Sequence, residues 1–184
     1  MILALSTSSP WAVCAAFSPD GEFLRELCYP ISRNASELLI QAVNELHPTF
    51  PNDLFGIAVD CGPGSFTGTK VGVTMAKVWA EITKAPLYVW NSFSLVSLDK
   101  GVYIPYKPNA FVVRVPGQFP VADPETWDPD WIGYGKEGDE SVRLSWKDVP
   151  VLEGSIVEAS LMKPEFFVEP SISRPKVAYR GGTT

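Results

Sequence analysis

Histidine and cysteine are scarce in this chain, with one and three respectively among 184 residues. Cys14, Cys28 and Cys61 are odd in number and lie in apolar runs or beside a glycine-rich loop. They read as reduced thiols of a cytoplasmic protein, not as a disulfide framework. Their spacing offers no zinc site, and neither a metal nor a cofactor is expected. The lone imidazole, His47, stands before Pro48 where a helical pattern ends, a position favoured by the helix dipole. No Ser-His-Asp set suggests itself around it, and no histidine lies near Cys61 in sequence to activate a thiolate. Long apolar runs are missing too. None approaches the ~18 residues that span a bilayer, and MILALS is too short, and lacks the basic flank, for a signal peptide. Surplus positive charge is also lacking. A net charge of −6 disfavours autonomous nucleic-acid binding, which needs a basic footprint. The one locally basic stretch, Arg174, Lys176 and Arg180, reads as a solvated C-terminal segment.

What is present is ordinary for a globular protein: 46% apolar and 20% charged residues, enough for one domain or two small lobes. There is no internal repeat and no low-complexity tract. MILALS reads as a short buried strand. Trp11–Ser18 and Glu22–Tyr29 flank Pro19-Asp20-Gly21 and predict a hairpin. Asn34 sits three residues before Glu37 in a capping-box-like start. Leu38, Leu39, Ala42, Val43 and Leu46 then recur at helical spacing. Leu54–Asp60 is a continuous apolar strand, followed by a glycine loop and a helix from about Thr67 to Lys84. LYVW after Pro86 predicts another strand, and Ser92 opens a short helix through about Leu98.

The order β-β-β-α-β-α-β-α makes residues 1–98 an α/β lobe of ribonuclease-H-like type, the half-unit of actin-type and sugar-kinase-type (ASKHA) folds. Residues 99–184 read as a smaller, loop-rich second lobe. VYIPYKP and AFVVRVPG predict two strands there, and Ser155–Met162 a helical turn or two. Trp127 and Trp131, among Asp123, Glu125, Asp128 and Asp130, read as aromatics anchoring a loop; stacking on a base is the alternative, against which the acids weigh.

The loop DCGPGSFTGTKVG, Asp60–Gly72, resembles a phosphate loop but fits neither familiar pattern. Gly68 is followed by Thr69 and only then Lys70, and the third glycine of a dinucleotide fingerprint would fall at Thr67. Backbone N–H groups at the helix start would suit an anion, with Ser6, Thr7 and Ser8 facing Asp60, Gly62, Gly64 and Ser65 across it. Asp60 either organises the loop by accepting its N–H groups or holds a metal-bound phosphate. The helix that follows carries two stripes. Val71, Met75, Val78, Trp79 and Ile82 form an apolar face suited to the sheet. Gly68, Gly72, Ala76 and Ala80 recur every four residues and leave a smooth face. Helical glycines cost roughly 0.5–1 kcal/mol each relative to Ala, so close helix contact is the expected compensation, with the Asn34–Leu46 helix or with another subunit.

GPGSFTGTKVG at Gly62–Gly72 resembles the GPGSFTGLRVG signature of the TsaB (YeaZ) family. LALSTSSP at Leu3–Pro10, SRNASELL at Ser32–Leu39 and NSFSLVS at Asn91–Ser97 resemble further family stretches, and EPSISRP at Glu169–Pro175 faintly echoes a closing one. The resemblance implies two ribonuclease-H-like lobes, a degenerate nucleotide cleft, and a non-catalytic role beside the tRNA threonylcarbamoyl transferase TsaD. It implies association through the first two helices, with Gly68, Val71, Gly72, Met75, Ala76, Ala80, Leu39 and Val43 at the interface. The partner would be a TsaD-like transferase or a second copy of the chain, with a TsaE-like ATPase in the full assembly and tRNA met only through it. Ser6 stands where the family has Asp, and Ala35 where it has His, which removes groups that phosphoryl transfer would use. Thr69 and Lys70 replace Leu and Arg, and Lys cannot make a planar bidentate contact. The second lobe is shorter than the family's. A distinct expectation is an independent nucleotide-binding or nucleotide-hydrolysing protein that uses the cleft.

Overall fold

The computed structural model describes residues 1–107, 109–135 and 142–163. The expected basic tail and the Glu169–Pro175 segment lie outside the described residues. Five strands of the main sheet come from the first ninety residues: β1 (Ile2–Ser6), β2 (Trp11–Phe17), β3 (Phe23–Pro30), β4 (Gly56–Asp60) and β5 (Leu87–Trp90). Between them run two helices, α1 (Ala35–Leu46) and α2 (Phe66–Thr83). β1 lies antiparallel to β2 and parallel to β4, with Leu5 opposite both Cys14 and Val59. The β2–β3 hairpin turns at Ser18–Gly21, where the Gly21 N–H donates to the Ser18 carbonyl. α1 begins where the sequence predicts, but not through a capping box. The Asn34 side chain accepts from the Ser32 N–H and makes no cap bond to the helix.

β1 and β4 are buried along their whole length, which is why they read as unbroken apolar runs. One face of the sheet, with Leu3, Leu5, Cys14, Ile57 and Val59, packs under α1 and α2 through Leu39, Val43, Val73 and Ala76. The other face, with Ile2, Ala4, Val13, Phe17 and Ala58, packs against Val102, Ile104, Val112, Leu144 and Trp146. Those last five belong to the later part of the chain, so the apparent second lobe closes its core by sharing it with the first sheet.

The later strands are β6 (Val102–Lys107), β7 (Ala110–Arg114), β8 (Val121–Ala122) and β9 (Ile132–Gly133), in the order β8-β7-β6-β9. β6 and β7 are the two strands predicted there. Tyr103, Phe111, Trp127 and Trp131 make a chain of edge-to-face contacts, with ring centroids 5.0–6.0 Å apart. A Cβ on Gly101 would overlap the Trp131 ring. Trp127 and Trp131 thus anchor the acidic loop against the sheet.

Two elements differ from expectation. Asn91–Ser97 forms successive turns and no helix. The Ser92 hydroxyl is drawn to Asp60, and Asn91 Oδ1 accepts from both the N–H and the hydroxyl of Ser94. Such side-chain bonds compete with helical ones. Ser155–Val157 is β10, not a helical turn. It pairs antiparallel with β5 and becomes the edge of the main sheet. The chain beyond residue 98 therefore returns to the sheet of the first lobe. No described helix is long and apolar enough to cross a membrane.

Candidate functional site

β1 and β4 end side by side, and their ends carry Ser6 and Asp60. Asp60 is fully buried. Its Oδ2 accepts from the Ser6 hydroxyl at 2.7 Å and from the Ser8 hydroxyl, and its Oδ1 accepts from Ser92 Oγ at 2.6 Å and the Gly62 N–H at 2.9 Å. Burial pushes its pKa upward, and these four donors partly offset the shift. The carboxylate is the knot that ties the glycine loop to the β1–β2 turn and to Ser92. Its N–H bond to Gly62 is the loop-organising contact considered above. In that knot Ser6 serves as a hydroxyl donor, where a carboxylate would meet a second buried charge.

The same loop leaves little room for a phosphate. Ser8 O takes the Ser65 N–H at 2.6 Å, and the Thr7 hydroxyl donates to Gly68 O at 2.7 Å. Ser65 caps α2 by accepting from the Gly68 N–H. A Cβ on Gly64 would overlap the Ser8 carbonyl oxygen, and one on Gly68 would overlap that of Thr7. Gly72 extends the contact, with Thr7 Oγ1 only 2.6 Å from where its Cβ would lie. The glycines let the Thr7–Ser8 backbone lie directly on the loop and the first turns of α2. That answers what a Gly-Pro-Gly turn is for here: the space a phosphate would need is filled by the protein's own chain. Ser6, Asp60, Gly62 and Gly64, expected as phosphate contacts, are spent on this clasp.

The small-residue stripe of α2 turns inward. Gly68, Gly72, Ala76 and Ala80 are all buried, Ala76 and Ala80 in the core between helices and sheet. Leu39 and Val43 of α1 are buried in the same core. These six are therefore closed to an outside helix in the folded chain, and the close approach that the small residues permit is to this chain's own β1–β2 turn and core. The larger stripe lies across the boundary, with Val71, Met75 and Trp79 packed on the edge of the core and Val78 and Ile82 in solvent. Val78 is 49% and Ile82 65% exposed, Phe66 is exposed, and Val71, Met75 and Trp79 are half-buried. Of the expected interface residues, Val71 and Met75 stay accessible.

A cavity of about 780 Å³ opens between the main sheet and the β6–β7 hairpin. Thr7, Ser8, Ser65 and Gly68 reach its wall; Ser6, Asp60, Gly62 and Gly64 do not. Arg33, Lys107 and Tyr134 line it as well, and sequence reasoning missed them because they become neighbours only once the second sheet folds over the first. Ser92 was also missed as a site residue. The one signal for it was its place in the NSFSLVS stretch. Of the remaining candidates for chemistry, the His47 ring lies 2.6 Å from the Asn52 carbonyl, and Cys61 is buried. Among the described residues no group of three or more His, Cys, Asp or Glu could hold a metal ion.

Residues 30–113 match the family described as TsaD, tRNA N6-adenosine threonylcarbamoyltransferase. Over 101 residues the chain is 32% identical to the tRNA threonylcarbamoyladenosine biosynthesis protein TsaB of Bacillus subtilis, across 53% of this chain and 44% of that protein. Over 74 residues it is 32% identical to the uncharacterized MG208 homolog of Mycoplasma pneumoniae, across 38% of each. The matched part thus spans less than half the length of either relative. Its fold is similar to that of YeaZ from Pseudomonas aeruginosa, with a TM-score of 0.71 at 18% identity over 90% of this chain and 98% of that one. The architecture is the actin-like, ribonuclease-H-like one that the element order predicts.

Proposed function

We propose that this chain is a member of the TsaB (YeaZ) family and serves as a non-catalytic scaffold subunit for threonylcarbamoyl transfer to tRNA adenosine. It binds a TsaD-like transferase through the outer surface of its first two helices and leaves the chemistry to that partner. A TsaE-like ATPase completes the assembly in the cytoplasm, and tRNA is met only through the complex.

The observation that carries this reading is the outward stripe of α2. Val71, Met75, Val78 and Ile82 stand at alternating intervals of four and three, the spacing of a seam that receives another helix. Two of the four are about half exposed or more, Phe66 adds to the stripe, and α1 contributes the exposed Ile40. Val71 and Met75 rest partly on the core, so the stripe is an apolar ridge that runs from the core edge into solvent, as an interface does before its partner arrives. The knot at Asp60 supports the non-catalytic half of the proposal, because its carboxylate is closed off and already accepts four hydrogen bonds.

Co-purification of the full chain with its transferase tests the proposal. Val78→Glu and Ile82→Glu place a charge on the seam without touching the core, so both are expected to abolish capture while the melting temperature stays unchanged. Retained capture in both variants sinks the helix-seam reading. Sedimentation of the chain alone reports whether the same seam also pairs two copies of it.

A further inference from the structure

Among the described residues, the lining of the cavity between the sheets carries positive charge, while the protein around it is acidic. The chain carries 21 acidic and 15 basic residues, yet none of the described residues lining this cavity is Asp or Glu. Its charged lining residues are Arg33, from the turn before α1, and Lys107, at the end of β6. Neither makes an ion pair with a described carboxylate. Asp123, outside the lining, accepts the Tyr106 hydroxyl at 2.5 Å and feels the charge of Lys107, which it partly offsets. In a protein of net charge −6, a concave pocket with two cations and no described carboxylate in its wall draws anions by its local field, not by the overall charge.

The rest of the lining suits an anion with an apolar body. The first turns of both helices reach the wall, α1 through Ala35 and Ser36 and α2 through Thr67 and Gly68, so two positive helix ends converge on one space. Asn109 adds an amide, and Pro10, Ile31, Val71 and Pro105 supply apolar surface. Tyr134 also lines the cavity; its side chain is buried, and its hydroxyl has no hydrogen-bond partner. That phenol oxygen lacks the bond which buried polar groups nearly always have. The glycine loop is not the anion cradle, since its clasp with Thr7 and Ser8 is closed.

We infer that this cavity binds a small organic anion, its phosphate or carboxylate held between Arg33 and Lys107 and its body against Ile31, Val71 and Pro105. The inference is independent of the scaffold role. The docking seam lies on the outer stripe of α2, and Val71 is its one residue that also reaches the cavity.

Calorimetric titration of the purified full chain, with AMP, inorganic phosphate and citrate as separate probes and no metal added, tests it. Saturable binding by at least one probe is expected. AMP binding more tightly than phosphate identifies a phosphomonoester with an apolar body, phosphate matching AMP identifies recognition of the phosphate group alone, and citrate binding best identifies a carboxylate ligand. Arg33→Asn suits the positive φ of 64° at that position, and Lys107→Gln keeps the stem of the side chain. Each is expected to weaken the best probe about tenfold, which is about 1.4 kcal/mol, at an unchanged melting temperature. Lys70→Gln, outside the cavity, is expected to change nothing. Absence of saturable heat from all three probes overturns the inference, as does binding that survives both cavity variants or falls equally with Lys70→Gln. Failure of the unsubstituted chain to capture a transferase, with anion binding intact, would break the scaffold reading alone.

Discussion

The inner and outer faces of α2 differ in the size of their side chains, and the small ones mark the face that the chain itself covers. On the inner face Gly68 and Gly72 let the Thr7 backbone and hydroxyl lie against the helix, and Ala76 and Ala80 close the core behind them. On the outer face the larger Val78 and Ile82 stand in solvent. Small residues at four-residue intervals mark a place where something comes very near. Here the near neighbour is the turn that follows β1, and the loop glycines and the helix glycines serve that single contact.

The sharpest way to break the comparison is on the inner face. Gly68→Leu would drive a side chain into the Thr7 carbonyl, a backbone atom that cannot swing aside. We expect a loss of more than about 3 kcal/mol in chemical denaturation. A variant that melts like the parent would show that the inner contact is loose. By the same logic Gly72→Leu and Ala76→Glu are expected to unfold the chain and so cannot report on a partner interface. Next in size is Asp60→Ala, which removes the common acceptor of the Ser6, Ser8 and Ser92 hydroxyls and leaves the Gly62 N–H without its carboxylate partner in a buried site. A loss of about 2 kcal/mol is expected, along with faster amide exchange across the loop.

A pH series comes third. Glu26 on β3 takes the Trp146 N–H at 2.7 Å and the Ser145 hydroxyl, pinning the later segment to the main sheet. Burial raises its pKa, as it does that of Asp60. With the folded value above the unfolded one, the folded chain holds more protons between the two, so stability falls as pH rises through that window. Glu26→Gln should make that decline shallower when melting is followed from acid to neutral pH; an unchanged slope would exclude Glu26 as a contributor. The smallest effect on stability is expected on the outer face. Val78→Glu should alter it by no more than about 0.5 kcal/mol, in contrast to its expected complete loss of transferase capture.

Much of the fold was legible along the chain. Alternation and turn residues mark the β2–β3 hairpin, helical recurrence marks α1 and α2, and unbroken apolar runs mark β1 and β4. The stretch Asn91–Ser97 was misread because its serines and asparagine spend their polar atoms on Asp60 and on their own backbone, which no local pattern announces. β10 was missed because three residues of an edge strand have no periodicity to detect.

Of the site, the glycine loop was visible as a feature, but its purpose was not. Ser6, Thr7, Ser8 and Asp60 were expected to gather around a ligand. They do gather, and they satisfy one another.

The sequence by itself determined where both helices and the strands β1 to β7 form, because periodicity and turn chemistry act between residues close along the chain. The tertiary structure alone decided which stripe of α2 turns inward. It alone brought Arg33 to face the same space as Lys107, and closed the glycine loop on the protein's own backbone. Those outcomes depend on which distant segment arrives to fill a space, and a one-dimensional pattern of sizes and polarities is the same whether the neighbour is a ligand, a partner or the chain itself.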